Sequence, residues 1–544
     1  MTPCRRDRSL VLQSAAGLLA AVIVGLGLPQ ALAESPTLIR YQEPEFLTFE
    51  ELRELSRNPY PTRPVHDKYE RLLRVPIISN EATLSGVQPH KPSRPELGGY
   101  VRVMTWNIEH SLGMDAAIDA FTNPEAFAQR IDPEQARRGS RRHKRAMAER
   151  TLLEGVDIIL LQEMDLGVKR SGYRDAARDL ALALQMNYAY LPEYLEIDPV
   201  LLGIDTVRFE EGQEDVEATK HFAVDPARYK GMFGTAVLSR YPIVHVEGFP
   251  LFNQGYDWYW QERLKPTFLE KVRRFGARTV FKETVHREMK VGGRTYFRVD
   301  LAVPQLPEGR VSVINVHLEI KAQPQARAEQ ISEILHYIKE NPHPVILAGD
   351  FNSAPSDLSP TSTPRVLARG LSSPEFWLSR VIEYLLPQDI DDDGLRYVAN
   401  ATKNYQDPTA VHVPVVAPND VGELFSIIQR FRFADGRSFD FRGTRRARAG
   451  GRGKLGNSNE RDAWAYRVTF RTDRTLAHLI GKFRLDWIFV KGYGTVPFDR
   501  NGPYRFAPHF GRTLNGVNKY LQHRISDHDP CLVDLPLQEP PPSR

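Results

Sequence analysis

Six short apolar runs in this sequence end in, or lead into, an isolated polar cluster. Asn107 and Glu109 follow VRVMTW, Gln162 and Glu163 follow DIILL, and His317 and Glu319 follow VSVINV. Further along, Asp350 and Asn352 follow VILAG, Asp486 sits inside RLDWIFV, and Asp527 and His528 precede CLVDL. Packed side by side, such runs bring their polar ends to one rim. Carboxylates gathered there repel one another and raise each other's pKa unless a cation sits among them. Oxygens of Asp, Glu and Asn suit a hard divalent ion, Mg²⁺ above all, which keeps positions open for water and a substrate phosphate. The histidines add a base or charge-stabilising group, and an acid behind an imidazole fixes its tautomer. This is what metal-assisted phosphoester hydrolysis requires.

The elements that must position these residues are strands. YVRVMTW, VDIILLQ, GTAVLSR, RVSVINVHL, HPVILAGDF, LDWIFVKG and CLVDLPL have strand length and either alternating or continuous apolar patterning. Helical stretches lie between some of them, among them the Arg-rich segment 136–154 and QARAEQISEILHYIKE. Mixed strands and helices of this kind predict an α/β sandwich. Residues 34–98, rich in proline and charge, read as an N-terminal arm wrapping a main domain at 99–535, and 536–544 as a frayed tail. Within the arm a helix begins at LTFEELRELSR, where Thr48 and Glu51 have capping-box spacing.

Two insertions interrupt the rhythm. The first, about 251–300, holds GYDWYWQERL and then a hairpin expected around Gly292-Gly293; its Tyr256–Trp260 aromatics read as core of the insertion. The second, about 355–480, has few strand signals. It includes DIDDDG, where Asp389, Asp391 and Asp393 have the spacing that opens a calcium loop, although Asn400 replaces the closing bidentate Glu. It also includes a basic, Gly-rich run with Arg442, Arg445, Arg446, Arg448, Arg452 and Lys454, which fits either a polyanion contact or a solvated loop.

The chain has 544 residues, 41% hydrophobic and 26% charged, the composition of an ordinary soluble globular protein with a sizeable core. Its start has a basic n-region, an apolar run from Leu10 to Leu28, and the small-x-small triplet Ala31-Leu32-Ala33. Residues 1–33 therefore read as a cleavable export signal, with an uncleaved membrane anchor as the lesser alternative, and the expected location is periplasmic or secreted, with no stable membrane span after cleavage. The leader holds Arg5, Arg6, Arg8 and Asp7, so the formal charge of +4 falls to +2 without it, too little to point to an anionic partner. Of two cysteines, Cys4 lies in the leader, and Cys531 inside CLVDL reads as a buried core thiol.

TWNIE, LQE, GTAVLSRYPI, NVHLE, GDFN, LDWIF and SDHDP occur in the order found in the endonuclease/exonuclease/phosphatase (DNase I-like) superfamily, which the chain resembles over roughly 100–352 and 483–535. The resemblance implies a four-layer α/β sandwich of two packed mixed β-sheets flanked by helices. It implies Glu163 as main metal ligand, Asn107 close to the metal and the scissile phosphate, and Asp527 as a further acid of the metal site. Asp350 would orient or deprotonate the attacking water, Asn352 would contact phosphate, and His528 would be the catalytic histidine with Asp486 behind it. His317 resembles the second histidine of the DNase I, sphingomyelinase and phosphatase branches, which shifts weight away from abasic-site repair. Glu109 would support the metal ligands from behind, and Asp529 would be a solvated bystander. The expected function is a Mg²⁺-dependent phosphoesterase, with Mn²⁺ or Ca²⁺ also fitting the oxygen donors. Its substrate stays open among nucleic acid, slightly favoured by the basic run, phospholipid or phosphoinositide headgroups, and small phosphoesters. A non-catalytic module that binds anions on the same fold is the remaining alternative.

Overall fold

The strand-length runs pair into two sheets in the computed structural model. The structure describes residues 38–263, 288–354, 422–439, 458–460, 467–471, 482–492 and 511–538, apart from 96, 207, 211, 212 and 215. Among the described residues one sheet has nine strands, with Asn187–Glu196, Met232–Ser239, Ile158–Leu166, Gly98–Asn107 and Cys531–Pro536 as consecutive neighbours at its centre. The other has five, in the order Asp486–Lys491, Val345–Asp350, Arg310–His317, Thr295–Ala302, Ile243–Pro250. Both are mixed. Gly98–Asn107 runs parallel to Ile158–Leu166 and antiparallel to Cys531–Pro536; Arg310–His317 runs parallel to Val345–Asp350, which runs antiparallel to Asp486–Lys491.

Alternation along each strand sorts its side chains into layers. Val101, Val103, Ile158, Leu160 and Val533 of the first sheet meet Val311, Val313, Ile346, Ala348, Ile488 and Val490 of the second in one buried cluster between the sheets. The opposite faces carry Met104, Trp106, Ile159 and Leu161 against helices Met114–Thr122, Arg141–Glu154 and Ala176–Leu184, and Ile314, Val316, Leu347 and Trp487 against helices Pro324–Ile338 and Gly422–Arg430. Helix, sheet, sheet, helix is the four-layer sandwich expected. Helix Gly422–Arg430 comes from the second insertion, whose described part thus completes an outer layer.

The N-terminal segment is joined to the first sheet. Its helix Phe49–Arg57 opens with the anticipated reciprocal cap between Thr48 and Glu51. Its strand Ile77–Ser79 pairs with Tyr188–Tyr190 and covers what would otherwise be an open strand flank. The described residues within Leu38–Arg544 belong to one compact unit. Cys531 is buried, and burial pushes its thiol up to about 12.

The expected hairpin at Gly292-Gly293 does not form. Lys290–Gly292 pairs with Tyr194–Glu196 in the first sheet, whereas the strand beginning at Thr295 pairs with Ile243–Pro250 in the second. The glycine pair is a crossing between sheets: Gly292 has φ 112°, and a β-carbon there would run into the carbonyl of Glu193. Two short runs split by Gly-Gly fit a hairpin or a change of sheet equally well, and only their pairing partners decide. The aromatic cluster before the crossing is divided, with Trp258 and Tyr259 buried and Trp260 45% exposed.

Candidate active site

The polar residues sit one step beyond the inter-sheet core on the same alternating face. Val103 is followed on that face by Thr105 and Asn107, Leu160 by Gln162, Val313 by Asn315 and His317, and Ala348 by Asp350; Asp486 precedes Ile488. Register then sets them abreast, because His317 pairs with Asp350 and Asp350 with Asp486 on adjacent strands, and Asn107 with Gln162 on the other sheet. Gly349 permits this: with φ 150°, any β-carbon there would run into the Val316 carbonyl.

Glu163 breaks the alternation. Plain period-2 counting turns it with Ile159 and Leu161 toward the helices. A bulge places one extra residue between Leu161 and Met164 opposite Ala236 and Gly234, and Glu163 takes φ 59°. The bulge re-aims its carboxylate into the site. Glu109, His110, Ser111 and Asn352 also have positive φ, so left-handed non-glycine backbone is concentrated around this rim, as at many functional sites.

These residues make one connected group. Asn107 Nδ2 donates to Glu163 Oε1 at 3.1 Å and to Asp350 Oδ2 at 3.0 Å, bridging the two sheets. The His528 ring has Nδ1 2.8 Å from Asp486 Oδ2, and its Nε2 faces Asp350 Oδ2 at 3.8 Å and Asp527 Oδ1 at 4.0 Å. Burial works to lower the His528 pKa, but Asp486, Asp350 and Asp527 outweigh it and hold the ring well above its ordinary value. Burial likewise works to raise Glu163, and His110, His317, His528 and the Asn107 amide overcome it, bringing the carboxyl down to about 2. Asp527 and Asp350 are pushed up, Asp527 by burial and the nearby charge of Glu109, Asp350 by burial and Asp486.

On the other side, His317 Nδ1 lies 2.9 Å from Glu193 Oε2 and 2.6 Å from Arg294 Nη1. A guanidinium only donates, so Nδ1 accepts from Arg294 in one tautomer and donates to Glu193 in the other. Either way Nε2 points at Glu163 Oε1, 3.9 Å away, with no hydrogen-bond partner. Arg294 is tied from behind by Glu319, whose Oε2 accepts from Arg294 Nε at 3.1 Å, Tyr194 Oη at 2.7 Å and Trp258 Nε1 at 3.0 Å.

Two supporting residues hold the loops around the site. Asn352 donates its amide Nδ2 to the Leu318 carbonyl at 2.8 Å and its backbone N–H to Asp350 Oδ1 at 2.8 Å, so its amide nitrogen already holds the Asp350 turn. Glu109 accepts from the Asp527 N–H at 2.8 Å and from Arg524 at 3.2 Å, clamping the Asp527 loop to the Asn107 strand. Asp529 is no solvated bystander. It is 1% exposed, and its carboxylate accepts from Arg471, Asn515 and Asn518. Its neighbours come from segments far apart in the chain, which is why a turn residue beside a proline looked solvated.

Sequence reasoning missed several residues here. Glu193 lies inside an aromatic strand and Arg294 beside the sheet crossing. His110 donates its backbone N–H to Glu163 at 3.2 Å, and its ring packs at a tilt against Phe233, 5.1 Å between centroids. Phe470 packs 4.9 Å from the His528 ring, and Thr469 Oγ1 accepts from the backbone of Leu485 and Asp486, so the end of the second insertion walls the site. Asp389, Asp391, Asp393 and the basic run 442–454 lie outside the described residues.

The donor chemistry fits a divalent cation. Carboxyls of Glu163, Asp350, Asp486 and Asp527 gather at one rim, Asp486 Oδ1 is buried without a partner, and a buried Asp350, Asp486, His528 group brings ligand atoms within 4.8 Å of one another and could bind a metal. A model of the Endonuclease/Exonuclease/phosphatase family matches residues 104–528, whereas no curated protein matches the chain. Among solved structures, an endonuclease/exonuclease/phosphatase protein from Beutenbergia cavernae is 15% identical, with 80% of this chain and 71% of that one covered at a TM-score of 0.31. A 3′-5′ exonuclease from Neisseria meningitidis is 13% identical, with 80% and 99% covered at 0.34; an AP endonuclease from Archaeoglobus fulgidus is 11% identical, with 80% and 98% covered at 0.31. The family match begins in the strand that ends at Asn107, takes in the strands of both sheets that meet at the rim and closes on His528, so the chain belongs to the endonuclease/exonuclease/phosphatase family of metal-dependent phosphoester hydrolases.

Proposed function

We propose that this protein is an exported, Mg²⁺-dependent phosphodiesterase that attacks phosphorus with an activated water, with nucleic acid as the favoured substrate class. One observation carries the reading: Asn107 and Glu163 from one sheet converge on His317, Asp350 and Asp486 from the other, and His528 closes the gap. Of the two donor sets at this rim, Glu163, Asn107 and Asp527 offer the oxygen-rich side on which the ion would sit, in preference to the Asp350, Asp486, His528 group, because Asp486 and His528 already bond each other. Bound there, Mg²⁺ would neutralise phosphoryl charge and lower the pKa of a water, and Mn²⁺ or Ca²⁺ would meet the same donors. Asp350, raised by burial, is the better proton acceptor for the attacking water. His528, kept charged by Asp486, meets the charge that develops on phosphate and hands a proton to the leaving oxygen. The leader supports export to the periplasm or beyond; among the described residues no helix is long and apolar enough to cross a membrane.

Hydrolysis of bis(p-nitrophenyl) phosphate with and without EDTA, beside Glu163→Gln and His528→Ala, tests the chemistry. Turnover should vanish with chelation and fall by about two to four orders of magnitude in the variants; metal-independent turnover would overturn the reading. A panel of plasmid DNA, RNA, sphingomyelin and phosphoinositides with Mg²⁺ or Ca²⁺ tests the substrate, and cleavage of lipid alone would move the assignment to headgroups.

A further inference from the structure

A concentration of basic side chains lies on the described surface at one end of helix Arg141–Glu154. Arg137, Arg138, Arg141, Arg142, Lys144 and Arg145 are all exposed. Arg145 bonds Glu149 and Arg142 the Gln135 carbonyl; Arg137, Arg138, Arg141 and Lys144 have no acidic partner among the described residues. These side chains crowd the first turns of the helix, where no acid is present and where the exposed N–H groups already disfavour cations. Helix Phe49–Arg57 shows the ordinary arrangement, with Glu50 and Glu51 in its first turn and Arg57 in its last. Such crowding opposes folding locally and is relieved when an external anion covers it.

Topology places this cluster at the rim. The parallel strands that end at Asn107 and in Glu163 require the connecting helix to return antiparallel, so its N-terminal turns lie at the end of the sheet that holds both residues. Direct contacts agree. Asp132 N–H donates to the Tyr520 carbonyl at 2.8 Å and Gln522 N–H to the Arg130 carbonyl at 2.9 Å. The chain then continues through exposed His523 and Arg524 to Asp527 and His528. Basic side chains thus lead from the helix, past Lys519, to the phosphate-handling residues. No large exposed apolar side chain lies among residues 130–145, so the surface offers charge without the apolar wedge that seats a protein in a bilayer.

We infer that the N-terminal turns of helix Arg141–Glu154 form a docking track for the phosphate backbone of a nucleic acid strand whose scissile phosphate lies between Glu163 and His528. This rests on the phosphodiesterase reading above. Polyanion binding of this kind releases counterions, so affinity falls with salt in proportion to the phosphates contacted.

The test uses the full chain carrying His528→Ala, with Mg²⁺, so that binding is read without turnover. Fluorescence anisotropy on a labelled DNA duplex is followed across a salt series for this protein, for the further triple change Arg141→Ala, Arg142→Ala, Lys144→Ala, and for a control with Arg53→Ala and Arg74→Ala. The triple change should weaken binding about tenfold or more and flatten the slope of log affinity against log salt by about 3, with the control unaltered and neither variant unfolding at a lower temperature than the parent. An unchanged slope, an equal loss in the control, or binding to phosphatidylglycerol vesicles but not to DNA would overturn the proposal. Failure of the wild-type protein to hydrolyse a small phosphodiester would sink the earlier reading while leaving the anisotropy result standing.

Discussion

The two histidines of the site occupy matching positions and opposite surroundings. His528 has a carboxylate behind it, Asp486 at 2.8 Å, and carboxylates in front, Asp350 at 3.8 Å and Asp527 at 4.0 Å. His317 shares the carboxylate behind it, Glu193, with the permanent cation Arg294, and faces Glu163 across 3.9 Å. The first ring is kept charged by its neighbours; the second is held in place by a buried ion-pair chain through Arg294 and Glu319. Residue type alone does not assign a role, and the charge of the supporting group does.

The comparison breaks most visibly at the rings themselves. His528→Ala should lower kcat/KM on a small phosphodiester about a thousandfold, against about a hundredfold for His317→Ala; equal losses would erase the distinction. Next comes Asp486→Asn, expected to cost about tenfold. Burial lowers the His528 pKa and Asp486 raises it, so removing that charge should move the alkaline limb of the pH–rate profile to lower pH; a limb that stays put would mean that Asp486 only positions the ring.

Glu319→Gln probes the His317 side through stability. Burial works to raise the Glu319 carboxyl, and Arg294, with bonds from Trp258, Lys321 and Tyr194, brings it down to about 2. A depressed carboxyl stabilises the fold above its unfolded pKa of about 4.3, and that contribution is lost as pH falls toward 2. The variant should therefore be less stable by about 3 kcal/mol at neutral pH, with the gap closing in acid when urea midpoints are compared. Smaller effects are expected at Asp529 and Asp527. Asp529→Ala strands the Arg471, Asn515 and Asn518 donors and should cost about 2 kcal/mol, measured the same way, whereas Asp527→Asn should cost no stability because burial and Glu109 already oppose its charge.

Much of this site was legible because strand alternation has period two. Asn107, His317, Asp350 and Asp486 each continue an apolar series by one step, and an ordered set of such steps is visible without coordinates. Glu163 was assigned by its motif, but its direction was hidden, since alternation turns it toward the helices and one inserted residue reverses that. Glu193 and Arg294 carried no signal, because their importance comes from a bond between a strand and the sheet crossing 101 positions apart. The Gly292-Gly293 crossing was misread for a related reason: pairing partners lie elsewhere in the chain.

Sequence by itself determined the strand segments, their polar ends, the α/β layering and the chemistry those ends can perform, because each depends on neighbours a few residues away. Tertiary structure decided which carboxylate stands behind which histidine, that Asp529 is a buried anchor while Asp527 is part of the site, and that the second insertion ends against His528. Those facts depend on contacts such as Asn107 to Asp350, 243 positions apart, and a desolvated charge responds to whatever chain segment packing brings beside it.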